Sequence, residues 1–171
     1  YGVSLPIAFD PTRLPLLNRG FVLGIVHVRG GGDLGDAWHF SGRHLNKENT
    51  FNDFVDVANR LVESGIGHPG MLAARGASAG GTVIGVVANE APALFKVLVA
   101  DVPFVDVLTT LLDPTLPLTE SDILEWGNPD VPADARYLFE YSPYQQVREQ
   151  AYPHVLVQAS RNDGRVGMHE A

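Results

Sequence analysis

The sequence predicts an α/β protein built on a mainly parallel sheet, and three features carry that prediction. Phe21 to Val28, Lys96 to Ala100 and His154 to Ala159 are apolar almost throughout, the character of parallel strands buried on both faces. Segments with helical periodicity alternate with them. Between two of these strands, Met71 to Glu90 (MLAARGASAGGTVIGVVANE) passes from a short apolar run through a cluster of small residues into an apolar helix.

That last stretch organises the rest. Met71 to Ala74 reads as a buried strand, Thr82 to Asn89 as a buried helix, and Gly76-Ala77-Ser78-Ala79-Gly80 joins them as G-x-S-x-G. Strand, G-x-S-x-G and helix make the context of a nucleophile elbow, a turn so tight that the serine's neighbours must be small. Gly76, Ala77, Ala79, Gly80 and Gly81 meet that demand. Such a turn lifts the Ser78 hydroxyl off the sheet. It also aims the N–H of Ala79, at the positive end of the helix, towards the place where an oxyanion would form. The plainer alternative is a glycine-rich connection with an incidental serine.

Bulk properties bound the function. A chain of 171 residues suits one domain with a sizeable core. A hydrophobic content of 45% with 19% charged residues belongs to an ordinary globular protein. The net charge of −8 argues against a nucleic-acid binder and suits neutral or cationic substrates. There is no cysteine, so thiol catalysis, disulfides and cysteine metal sites are excluded, in keeping with a reducing compartment and a cytoplasmic location. No apolar run approaches a membrane span, no signal peptide is visible, and neither a metal motif nor a cofactor is expected.

Taken in order, Tyr1 to Asn18 reads as a turn-rich loop leading to a short helix over Thr12 to Asn18, closed by Gly20. Phe21 to Val28 is expected to be a central strand with His27 in the core. Gly30, Gly32 and Gly35 then satisfy G-x-G-x-x-G. The acid that a dinucleotide site needs at the end of a second strand is missing, because Asp53 and Asp56 fall in a helical pattern. A tight glycine turn passing under a neighbouring loop is the better reading. Asn49 to Ser64 is the clearest helix, with Phe51, Phe54, Val55, Ala58, Leu61 and Val62 on one face, Thr50 and Asp53 as a capping box, and Gly65 as its stop. His39 and His44 before it read as surface or loop residues. Asp101 to Val107 crosses the carboxyl end of the Lys96–Ala100 strand, where open α/β sheets place ligands. Asp113 to Asp134, rich in proline and acids, with Leu118, Ile123, Leu124 and Trp126 scattered through it, reads as a loop lining a site. Asp122 and Glu125 are its candidate cation acceptors. Tyr137 to Val147 is a helix broken at Ser142-Pro143, and His154 to Ala159 is the last of at least four strands.

Where a serine sits on such an elbow, an acid and then a histidine follow it along the chain. Asp163, just past the last strand, takes the acid's place. His169 stands too close to Asp163 to come from a separate loop, so the expectation is that the chain stops before its histidine.

At this point HVRGGGDLGDAW, NKENTFNDF, GASAGG, ADVPFVDV, LPLT with EWGNP, YSPY and NDGRV together resemble the catalytic domain of the prolyl oligopeptidase family of serine peptidases, and within it the oligopeptidase B group. The resemblance covers nearly the whole chain. It implies an α/β-hydrolase fold, a mainly parallel sheet with helices on both faces, truncated at both ends. The gating β-propeller and the segment bearing the histidine would be absent. It implies a serine-type endopeptidase of short peptides, cleaving after Arg or Lys through an acyl-enzyme. Ser78 would be the nucleophile and Asp163 the acid. The Tyr1 hydroxyl would complete the oxyanion hole beside the Ala79 N–H, and Arg165 would help hold the substrate backbone.

The chain departs from the family at several points. Asp122 stands for a longer glutamate, Leu124 for another acid, and Pro6 and Ala8 for further carboxylates. The Asn162-Asp163-Gly164 turn lacks the histidine that often precedes the acid in the family. An esterase or dipeptidyl-peptidase-like hydrolase of the same fold, and a non-catalytic interaction module, are the other readings; EWGNP and the glycine triplet speak against the first. The sequence leaves the oligomeric state open. An isolated piece of this kind is expected to lack activity and to leave apolar strands such as Phe21 to Val28 or His154 to Ala159 uncovered.

Overall fold

The computed structural model describes residues 1–116 and 119–171. Leu118, one of the apolar residues noted in the 113–134 segment, lies with Pro117 outside the described residues, as does that part of the LPLT stretch. In chain order the elements are α1 (Leu14–Leu17), α2 (Asp36–Phe40), α3 (Glu48–Glu63), β1 (Leu72–Ala77), α4 (Ala79–Glu90), β2 (Phe95–Asp101), α5 (Val107–Leu111), α6 (Thr119–Trp126), α7 (Pro132–Tyr141) and β3 (His154–Gln158).

The described sheet has three strands in the order β1-β2-β3, all parallel. Gly76 is level with Ala100 and Ala100 with Val157; Ala77 is level with Asp101 and Asp101 with Gln158. The carboxyl ends of all three strands therefore share one rim. Each β-to-β connection runs through helix, as parallel pairing requires.

One face of the sheet is the core. Ala74 of β1 and Leu98 and Ala100 of β2 point to α4, whose Val83, Ile84, Val86 and Val87 are buried. Helix α4 is apolar all round because it lies between the sheet and α3, and Gly85 meets Pro143. Helix α3 turns Phe51 and Ala58 inward. Its capping box does not form. Thr50 donates instead to the carbonyls of Arg29 and Gly42, and Asp53 binds Arg29, so both side chains are used tertiarily rather than at their own helix end. On the opposite face Ala73, Arg75 and Ala77 are exposed, and Arg75 pairs with Asp101 at 2.6 Å.

Three further expectations change. Phe21 to Val28 is not a strand: an apolar run becomes one only by pairing its backbone, none of β1, β2 or β3 pairs with it, and Phe21, Val22 and Ile25 are exposed. His27 is accordingly no core residue; it lies exposed, 3.0 Å from Asp33. The 113–134 segment is not a loop throughout, since α6 occupies Thr119–Trp126 and α7 begins at Pro132. Val155, Leu156 and Val157 of β3 are uncovered, as expected of an edge strand without a helix over it. No helix among the described residues is long and apolar enough to cross a membrane.

The elbow is held by close approach on both sides. A Cβ on Gly76 would lie 2.2 Å from the Gly80 carbonyl oxygen, and one on Gly81 would lie 2.5 Å from Pro103 Cα, whereas one on Gly80 meets nothing within 4 Å. Gly81→Ala should therefore lower the unfolding free energy by about 1–3 kcal/mol through overpacking. Gly80→Ala should leave it unchanged or raise it by up to about 1 kcal/mol, the helix-propensity difference. Urea unfolding midpoints of the two variants test the contrast.

Candidate active site

Ser78 stands between β1 and α4 with φ 54° and ψ −120°, a conformation that costs a residue with a side chain about 1–3 kcal/mol. Three backbone bonds hold it there. Its N–H donates to Asp101 O at 3.0 Å, and its carbonyl accepts from Gly81 N at 2.8 Å and Phe104 N at 3.2 Å. Val102, next along the rim, also has positive φ, 40°, and its N–H donates to Gln158 O at 2.7 Å. A β-branched residue in that region is an outlier. Nothing in the sequence marks it, because valine is the wrong residue for such a turn. Ala79 is the first residue of α4, so its N–H has no carbonyl of its own helix to meet and faces the rim beside Ser78.

Asp163 follows β3 on the same rim. Its Oδ1 accepts the N–H groups of Arg165 (2.8 Å) and Val166 (3.0 Å). Those two backbone bonds hold its carboxyl below the usual range, so it is ionised at neutral pH. Two strand spacings, about 10 Å, separate the ends of β1 and β3.

Tyr1 is brought to this rim by the glycine triplet. Gly2 N donates to Gly30 O at 2.9 Å and Gly32 N to Val3 O at 3.1 Å. A Cβ on Gly32 would lie 2.2 Å from Gly2 O, so the loop does pass under a neighbouring segment. The Tyr1 hydroxyl donates to Asp122 Oδ1 at 2.8 Å and accepts from Trp126 Nε1 at 2.7 Å. Burial raises its pKa; Trp126 works against that and Asp122 adds to it, so the phenol keeps its proton. Arg165 lies over the Tyr1 ring and donates from Nη2 to Asp122 Oδ1 at 3.1 Å. Tyr1, Ser78, Phe104, Asp122, Arg165 and Val166 help line one cleft.

Glu125 is not in that cleft. It was expected as a cation acceptor for substrate, but its cations are internal. Oε1 lies 2.6 Å from Lys47 Nζ; Oε2 lies 2.8 Å from His39 Nε2 and 3.9 Å from Arg43 Nε. Leu124 projects outward, 66% exposed. His39, expected at the surface, is thus a half-buried partner of Glu125, and His44 reaches Asp134 at 2.8 Å. Burial pushes the Glu125 carboxyl up, but Lys47 first and then His39 oppose it and the net shift is downward. Burial lowers Lys47, with Glu125 opposing.

His169 sits near Thr110 and Glu170. Glu170, which the sequence did not single out, is buried and accepts the Val105 and Asp106 N–H groups at 2.7 and 2.6 Å and the Thr110 hydroxyl. It fixes the crossing segment after β2. The remaining histidines, His27, His68 and His154, are placed elsewhere, so none of the six is bonded to Ser78 or Asp163.

A parallel sheet with a strained serine between strand and helix is the α/β-hydrolase arrangement. The chain belongs to the prolyl oligopeptidase family, whose model matches residues 7–171. It is 47% identical over 170 residues to Protease 2 of Moraxella lacunata, covering 99% of this chain and 25% of that protein. It is 45% identical over 166 residues to dipeptidyl aminopeptidase BI of Pseudoxanthomonas mexicana, covering 97% and 23%. The structure of oligopeptidase B from Leishmania major matches with a TM-score of 0.96 and 45% identity, covering 99% of this chain and 24% of that one. The chain thus spans about a quarter of the length of these relatives.

The Glu125 cluster yields a stability test. Glu125→Gln leaves Lys47 buried without a counter-charge, at a cost of about 3–5 kcal/mol. Because the folded carboxyl titrates below its unfolded value, the stabilisation is fully present above the unfolded pKa, about 4.3, and is lost as pH falls through the folded one. Unfolding free energies of both proteins against pH should differ most at neutrality and converge in acid.

Proposed function

We propose that this chain is the nucleophile-bearing core of a serine peptidase that hydrolyses short peptides through an acyl-enzyme. The observation that carries the reading is the shared rim: Ser78 and Asp163 follow parallel strands whose ends are level through β2. Ser78 attacks the peptide carbonyl while an imidazole takes its proton and later gives it to the departing amine. Asp163 fixes the tautomer of that imidazole and stabilises its charged form. The Ala79 N–H and the Tyr1 hydroxyl take up the negative charge on the former carbonyl oxygen.

The imidazole comes from a histidine outside these residues, in the part of the family's length that this chain does not span. The gating propeller belongs there too. Asp122 makes the cleft receptive to Arg or Lys, and the chain's net charge of −8 favours cationic peptides.

In the full-length enzyme, Ser78→Ala should abolish turnover of fluorogenic peptides, and Tyr1→Phe should lower kcat about a hundredfold, the usual effect of losing one oxyanion donor. The 171-residue chain alone should show no turnover. Full activity of that chain, or an undiminished Ser78→Ala enzyme, would remove the reading.

A further inference from the structure

We propose that Asp122 is a latch that a cationic substrate side chain opens. In the resting chain it holds the Tyr1 hydroxyl proton and the Arg165 guanidinium; a substrate cation entering the cleft replaces both, releasing Tyr1 to the oxyanion and Arg165 to the peptide backbone. The inference rests on the peptidase reading above and adds a coupling between substrate charge and catalysis.

Hydrogen-bond direction gives the first argument. An indole nitrogen only donates and a carboxylate only accepts. The Tyr1 oxygen therefore accepts from Trp126 at 2.7 Å and gives its single proton to Asp122 at 2.8 Å. With that proton committed, the hydroxyl has nothing to offer a developing oxyanion.

Charge gives the second. Among the described residues lining the cleft, Asp122 and Arg165 are the charged ones, and they are paired at 3.1 Å. The same Oδ1 receives both Tyr1 and Arg165, so one cation arriving there competes with both. Leu124 points to solvent and offers no second acid. A neutral side chain leaves the pair closed.

Exposure gives the third. The Asp122 side chain is 15% exposed and that of Arg165 41%. A pair with one partner this open is weak, so exchanging one guanidinium for another on Asp122 costs little. Arg165 keeps its backbone bond to Asp163 while its side chain swings.

The test is steady-state kinetics of the full-length enzyme on two peptide amides differing only in Arg or citrulline before the scissile bond. The latch predicts a kcat at least tenfold higher for Arg. It also predicts that Asp122→Ala raises kcat for citrulline several-fold while raising KM for Arg. That gain should vanish when Tyr1→Phe is added. A purely attractive pocket instead gives an Arg preference in KM alone and no citrulline gain in Asp122→Ala; either result overturns the latch, as does a gain that survives Tyr1→Phe. Titration with a fluorophosphonate counts competent sites in each variant. Should Asp122→Ala fail to fold, methylguanidinium added to the unmodified enzyme decides: it should raise kcat on a peptide with alanine before the scissile bond, and inhibition or no effect overturns the proposal. Failure of the peptidase reading looks different: the unmodified enzyme then cleaves neither peptide and takes no fluorophosphonate at Ser78.

Discussion

Ser78 occupies a backbone conformation that a residue with a side chain resists, and the surrounding structure is arranged to hold it. Gly76 packs on the Gly80 carbonyl, Gly81 on Pro103, and the Ser78 carbonyl is tied to Phe104. The first contact closes the elbow on itself, and the other two tie it to the segment crossing the end of β2. That segment is fixed in turn: Thr82 donates to the Phe104 carbonyl from beneath, and Glu170 binds the N–H groups of Val105 and Asp106. The strain at Ser78 persists because its neighbours have nowhere to relax. Local strain of this kind is found where a fold commits to a site.

A second layer places the groups that face Ser78. The glycine triplet grips residues 2 and 3 and so delivers Tyr1, while α6 delivers Asp122 and Trp126 to the same hydroxyl. Glu125, one residue before Trp126, anchors α6 to Lys47 at the start of α3 and to His39 of α2. Lys47 also lies 4.4 Å from the Trp126 ring centroid. A buried ion pair adds little net stability compared with an apolar core, but breaking one is costly. Here it fixes the position of the helix that carries Asp122, and so bears on function through geometry.

What could be read from the sequence was what local pattern encodes. The elbow, α3, β2 and β3 were legible because small residues, helical periodicity and apolar runs each declare themselves over a few residues. The parallel rim followed from order alone. What was not legible depends on partners distant in the chain. Phe21 to Val28 has the composition of a strand, but composition does not supply a neighbour to pair with. Helix α6 was hidden among prolines and acids, and its inward Glu125 looked like any loop carboxylate. The roles of Glu125, His39 and Glu170 come from contacts between well-separated segments, which no spacing rule reveals. Val102 was invisible for the opposite reason: its residue type argues against the conformation it adopts.

The account depends most on one imidazole joining Ser78 to Asp163 across the rim. The direct measurement is a crystal structure of the full-length enzyme with a peptide phosphonate trapped in the cleft. The account predicts phosphorus bonded to Ser78 Oγ, a histidine from outside these residues hydrogen-bonded to Asp163, and a phosphonyl oxygen within hydrogen-bond distance of the Ala79 N–H and the Tyr1 hydroxyl. An unmodified Ser78, or an Asp163 carboxylate that no imidazole reaches, would contradict it.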